Sequence, residues 1–301
     1  MDRMETGVLS EQRRSTRQRR SVKAVVKGVP VSEGAGVRLT RLIGHGGLRM
    51  LDPFLLFDEF RSEKRDDYAA GFPDHPHRGM ETVTYMIEGR MAHRDSLGNS
   101  GVIGPGDAQW MTAGSGIIHS EMPAVENGRL WGLQLWVNLP AVRKMMPPRY
   151  QELSAARMPF VTDGSVTARV IAGAFGGVQG ACDTIGEASL YLDVTVSPDA
   201  RFTHILTDDT AFAFVLDGHG VFADDTAAGR CELLVFDGGD EVVAQAGSDG
   251  LRFILVAGAP IGEPVVSGGP FVMNTQEEIE TAWKELRNGT FVKSGMGGRR
   301  S

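Results

Sequence analysis

Short runs in which apolar and polar residues alternate, each closed by Gly, Pro, Asp or Asn, fill most of this chain. Val37-Arg38-Leu39-Thr40-Arg41-Leu42-Ile43 is one such run, and residues 82–87 form another that ends at the turn signal Glu88-Gly89. Side chains two apart on a strand share a face, so this alternation marks strands with one face buried. Residues 140–148, rich in Pro, Met and basic residues, interrupt the pattern; the same texture then returns in residues 166–172, 190–196, 212–216, 233–236 and 253–256. Many short strands on both sides of a break predict an all-β protein of two antiparallel β-barrels, over residues 23–145 and 146–290. One stretch has a helical period instead. Thr275 with Glu278 is a capping box, Ile279, Trp283 and Leu286 recur at i, i+4 and i+7, and Asn288-Gly289 is a stop, so a short helix is expected over 275–288.

Composition narrows the class. With 301 residues, 42% of them apolar, the chain can bury one large or two medium cores, and 39 glycines suit tight turns better than helices. A net charge of -7 argues against direct nucleic-acid binding, which needs a basic surface facing phosphate. No apolar run approaches the roughly 18 residues of a membrane span. Cys182 and Cys231 stand far apart and read as reduced thiols of a soluble, cytoplasmic protein. Arg13, Arg14, Arg17, Arg19 and Arg20 lie in a stretch almost without apolar residues, so residues 1–22 read as a disordered basic tail; residues 291–301 read as a flexible one.

The candidate chemistry lies in residues 71–121. His75 and His77 are spaced i, i+2, and so are His119 and Glu121. On extended strands each pair aims two donors at one point. Two such strands facing each other would offer three imidazoles and one carboxylate to one ion, a set that suits a first-row divalent metal and leaves part of an octahedron open. The other histidines belong to no His-x-His or His-x-Glu pair: His45 lies in a Gly-rich turn, His93 reads as a surface or rim residue, and His204 and His219 leave the second barrel metal-free. Asp58 and Glu59, in apolar surroundings, read as rim or structural hydrogen-bonding groups, and Asp107 belongs to the turn Pro105-Gly106-Asp107. Gln134 and Trp136 are candidates to line a cavity, with the inward face left open.

The strings Gly71-Phe72-Pro73-Asp74-His75-Pro76-His77-Arg78-Gly79, Glu81-Thr82-Val83, Pro105-Gly106-Asp107-Ala108-Gln109-Trp110-Met111-Thr112-Ala113-Gly114, His119-Ser120-Glu121-Met122-Pro123, Gly132-Leu133-Gln134-Leu135-Trp136-Val137-Asn138-Leu139 and Gly269-Pro270-Phe271-Val272-Met273-Asn274-Thr275 resemble the pirin family of the cupin superfamily, over roughly residues 25–290. The resemblance implies a bicupin of two jelly-roll barrels, the first holding Fe(II), or another divalent transition metal, on His75, His77, His119 and Glu121. It implies a quercetin 2,3-dioxygenase-like oxidoreductase that opens a flavonol ring with O2 and releases carbon monoxide, with Glu121 taking the proton of the substrate hydroxyl. Glu81, where many cupins place a carboxylate ligand, is then expected to orient a ligand imidazole as a hydrogen-bond acceptor. The family also implies an alternative, a non-enzymatic, redox-responsive regulator whose protein partner, a transcription factor or metabolic enzyme, senses the charge on the iron.

Overall fold

The computed structural model describes residues 17–124, 128–184, 186–207, 210–223 and 225–293. Residues 1–16 and 294–301, the greater part of the two expected tails, lie outside the described residues. The described ends are built into the fold: Arg20 and Phe291 are buried, and the Phe291 ring packs 5.2 Å from Phe271.

The alternating runs form strands as expected. In the first half a seven-stranded sheet runs Arg149–Leu153, Ala108–Thr112, Met80–Glu88, Leu130–Asn138, Phe54–Ser62, Val37–Ile43, Val29–Glu33. A four-stranded sheet, Phe72–His77, Ile117–Pro123, Met91–Asp95, Ser100–Ile103, closes the first barrel. The second half is a nine-stranded sheet centred on Thr210–Phe222 and Glu241–Gly258. The chain is an all-β bicupin with one short C-terminal helix.

The long sheet of the first barrel is covered on both faces. Val83, Tyr85, Leu133 and Leu135 share one core with Tyr191, Phe212, Phe214 and Ile254 of the second half. Phe212 meets Phe54 and Phe57 edge-on, at 5.3 and 5.2 Å between ring centroids. The intervening residues, such as Gln134 and Trp136, face the interior of the first barrel. One polar node sits in the shared core, where the Tyr85 hydroxyl donates to Asp193 Oδ2 at 2.7 Å and Arg252 donates to both Asp193 oxygens at 3.0 and 2.6 Å.

Three segments cross the boundaries expected from the pattern. Ser21–Lys27 pairs with Glu232–Asp237 of the second sheet, and Arg149–Leu153 returns to pair with Ala108–Thr112 of the first. The hairpin Val266–Gly268/Phe271–Met273 and the helix Gln276–Arg287 pack on the first barrel: the Val272 amide donates to the Arg78 carbonyl at 3.0 Å, and Arg78 donates to Glu285 at 2.6 Å. Alternation identifies a strand but not its partner, which is why these edges are not visible in the pattern.

The helix itself forms as read. Thr275 caps it, the Glu278 amide donates to Thr275 Oγ1 at 3.2 Å, and the Thr275 amide donates back to Glu278 at 3.0 Å. Ile279, Trp283 and Leu286 lie against Phe271 and Phe291. No helix among the described residues is long and apolar enough to cross a membrane. Cys182 and Cys231 are both free thiols.

A shared core predicts cooperative unfolding. Phe212→Ala is expected to cost about 3–5 kcal/mol, read as a lower urea midpoint, with both halves still unfolding in one transition. Two resolved transitions in the unmutated protein would show that the halves are independent.

Candidate metal centre

Strand Phe72–His77 pairs antiparallel with Ile117–Pro123 so that His119 stands opposite His75 and Ile117 opposite His77. The i, i+2 spacing keeps His75 and His77 on one face, and the ladder brings His119 across to them. Ring centroids are 4.8 Å apart for His75–His77, 4.3 Å for His75–His119 and 5.1 Å for His77–His119. One nitrogen from each lies within 4.8 Å of the others. The strand turns away at Gly79, where φ is 80° and an added Cβ would stand 2.0 Å from the Val272 carbonyl oxygen. Only glycine lets the backbones approach that closely.

Backbone carbonyls set two of the three rings. His75 Nδ1 lies 2.8 Å from the Pro73 oxygen and His77 Nδ1 3.3 Å from the Pro270 oxygen. A carbonyl accepts only from N–H, so each Nδ1 carries a proton and Nε2 is the atom left to bind an ion. His119 is buried, and neither of its ring nitrogens has a protein partner among the described residues. Burial, with His75 adding to it, pushes the His77 pKa down to about 3; burial and the neighbouring imidazoles push His119 well below its ordinary value. His77 and His119 are therefore neutral donors. A buried, unpartnered imidazole converging with two others fits a divalent transition metal, which would satisfy it.

Glu121 is not part of that cluster. The pairing with Phe72–His77 shifts register between His119 and Glu121, which falls opposite Phe72. Its carboxylate is instead held on the cavity wall by the Thr84 hydroxyl at 2.7 Å and the Gln134 amide at 3.2 Å. Of the four expected donors, the structure gathers three and sets the fourth beside them.

Two expectations are corrected. Glu81 does not orient a ligand imidazole: it accepts from Thr112 Oγ1 at 2.6 Å and from the Gly186 amide at 3.2 Å, on the face turned to the second half. The orienting task falls to the Pro73 and Pro270 carbonyls, and a backbone oxygen on a distant hairpin carries no sequence signal. His93 is buried rather than at the surface; its Nδ1 bonds the Tyr150 hydroxyl and its Nε2 lies 2.7 Å from Glu152. Both partners arrive on Arg149–Leu153, the strand whose pairing alternation does not reveal. His45 and Asp107 behave as turn residues, accepting from the Gly47 amide at 3.0 Å and the Gly104 amide at 2.7 Å. Glu59 accepts from Trp131 Nε1 at 2.8 Å, a structural bond.

The cluster opens into a cavity of 630 Å³, within the roughly 300–1,000 Å³ typical of small-molecule sites. Gln134 and Trp136 both line it, since i, i+2 residues share a face, and Trp136 meets His77 edge-on at 5.1 Å. Leu56, Phe60 and Phe72 supply apolar wall, with Asp58 and Arg41 set among them.

Because neither ring nitrogen of His119 has a hydrogen-bond partner among the described residues, His119→Ala is expected to fold yet lose the stoichiometric transition metal that elemental analysis should find in the unmutated protein. Glu81→Gln should do the reverse, lowering thermal stability while metal content is unchanged. Full metal retention by His119→Ala would break the assignment.

Comparison with known proteins agrees with the fold. A sequence profile described as Pirin matches residues 36–137, and one described as Pirin C-terminal cupin domain matches residues 191–292. A pirin-like protein of Caulobacter vibrioides is 49% identical over 277 residues, covering 90% of this chain and 99% of that one. Pirin of Homo sapiens is 44% identical over 263 residues, covering 85% and 89%. A crystal structure of quercetin 2,3-dioxygenase from Acinetobacter baumannii superposes with a TM-score of 0.82 at 30% identity, covering 91% of this chain and 99% of that one. Two profiles spanning both barrels, relatives matched along nearly their whole length and a three-histidine cluster on paired strands lead to one conclusion: the chain belongs to the pirin family.

Proposed function

We propose that this protein is a cytoplasmic, metal-dependent dioxygenase of the quercetin 2,3-dioxygenase type, with Fe(II) on His75, His77 and His119, Glu121 beside them as the base, a flavonol as substrate and O2 as oxidant. The observation that carries the reading is the opening of a three-histidine cluster into a 630 Å³ cavity with apolar walls and a buried carboxylate beside the cluster. The Acinetobacter baumannii structure bearing that enzyme name matches almost the whole chain. Two unbridged cysteines suit a reducing compartment.

A bound iron would supply a Lewis-acid site for the hydroxy-ketone edge of a flavonol and the redox chemistry of dioxygen. The protein does the rest. His75, His77 and His119 would hold the ion, the Nδ1 protons of His75 and His77 being committed to the Pro73 and Pro270 carbonyls. Glu121 accepts the proton of the substrate hydroxyl, while Thr84 and Gln134 hold its carboxylate in place. Leu56, Phe60 and Phe72 give the flat rings an apolar wall to pack on.

The test is anaerobic loading with Fe(II), then quercetin, then O2. Ring-opened product and carbon monoxide are expected, with kcat falling about 10²–10⁴-fold in Glu121→Gln and turnover absent in His75→Ala. Stoichiometric metal with no turnover on any of several flavonols would overturn the catalytic reading in favour of the redox-responsive regulator acting on a protein partner.

A further inference from the structure

The cavity has a second polar feature that the chemistry above does not use. Antiparallel register sets Thr84 opposite Gln134, Gln134 opposite Asp58 and Asp58 opposite Arg41, one polar row across four adjacent strands. Directly opposed residues share a face, and Gln134, Asp58 and Arg41 all line the cavity. Thr84 and Gln134 are committed to Glu121. Strands lie about 4.8 Å apart, so Asp58 stands about 10 Å across the sheet from Thr84. Its i±2 neighbours Leu56 and Phe60 also line the cavity. The end away from Glu121 is thus an apolar slot with one carboxylate in it.

That carboxylate has acceptor capacity left. Arg41 donates Nε to Oδ1 at 2.9 Å and a terminal nitrogen to Oδ2 at 2.8 Å, one bond to each oxygen, while each oxygen has two lone pairs. Burial pushes the Asp58 pKa up to about 6 against the pull of Arg41, as expected of a carboxylate short of donors. Arg41 also meets Glu33 at 3.0 Å, so its charge is committed to two carboxylates and offers no free anion site. Glu33, Asp58, Asp74 and Glu121 line the cavity against the single guanidinium of Arg41. Such a wall disfavours anionic substrates and favours neutral hydroxyl donors.

We propose that Asp58, braced by Arg41, is a specificity-determining residue that accepts a hydrogen bond from a phenolic hydroxyl on the substrate ring remote from the three histidines. The substrate class is accordingly a neutral polyphenol hydroxylated at its distal end. The inference rests on the flavonol reading of the cavity and adds the group that selects among flavonols.

The experiment is calorimetric binding to the Zn(II)-loaded protein, which needs no turnover. The ligands are a flavonol with a distal catechol, one with an unsubstituted distal ring, and one with a carboxylate there. The catechol is expected to bind about tenfold or more tighter than the unsubstituted ligand, the worth of a hydrogen bond to a charged acceptor. The carboxylate should bind weakest. Asp58→Asn should bring the catechol close to the unsubstituted ligand while leaving the affinity for the latter within about twofold. Arg41→Lys, which keeps the acceptor, should retain the preference. A purely structural ion pair would instead weaken all three ligands in proportion in Asp58→Asn. That result, equal binding of catechol and unsubstituted ligand by the unmutated protein, or tightest binding of the carboxylate, would overturn the proposal while leaving the flavonol reading intact. Failure of all three ligands to bind would overturn both. The preference in the unmutated protein keeps the test decisive even where Asp58→Asn does not fold.

Discussion

The register between Phe72–His77 and Ile117–Pro123 is the constraint on which the site depends. With His119 opposite His75, three imidazoles share one point; a slip of one residue would turn one strand's histidines to the other face and disperse them. The ladder alone does not hold this register. Arg78, next to His77 and buried, donates to the Ser115 carbonyl at 2.7 Å and to Glu285 at 2.6 Å, tying the first metal strand to the loop before the second and to the C-terminal helix. Lys144, also buried, donates to the Gly79 carbonyl at 2.8 Å, the Asn138 side chain at 2.6 Å and the Val272 carbonyl at 2.9 Å. Burial lowers its pKa to about 8, so the ammonium stays charged at neutral pH and its three acceptors are charge-assisted. The hairpin clamped in this way is the one that brings the Pro270 carbonyl to His77.

The second half contributes by covering the first. A sheet buried on both faces has its strands held against sliding by packing above and below, and here one face belongs to the shared aromatic core and the other to the cavity. That division explains the chemistry of the strands. Residues 83 and 85 are apolar or partnered with Asp193, whereas Thr84 and Gln134, on the intervening positions, support Glu121. The same division sends Glu81 to the side turned to the second half, where Thr112 and the Gly186 amide receive it. The second half needs no donors of its own to matter: it supplies the rigid backing, and the end of its chain closes the site.

Local features of the sequence were legible because their physics is local. Alternation marks strands, the Thr275–Glu278 box and the Ile279, Trp283, Leu286 spacing mark a helix, and His-x-His on a strand sets two imidazoles side by side whatever surrounds them. Which strands pair depends on contacts between residues far apart in the chain, and there the structure decided. It placed Ser21–Lys27 in the second sheet, returned Arg149–Leu153 to the first, and so buried His93 under Tyr150 and Glu152. It also left Glu121 beside the histidine cluster rather than in it, through a register shift that i, i+2 spacing does not reveal. The sequence by itself determined the elements and the donor types, because period and residue chemistry are written residue by residue. The tertiary structure alone determined the partners of Glu81, the Pro270 carbonyl on His77 and the polar row through Asp58, because register and long-range packing bring those groups together.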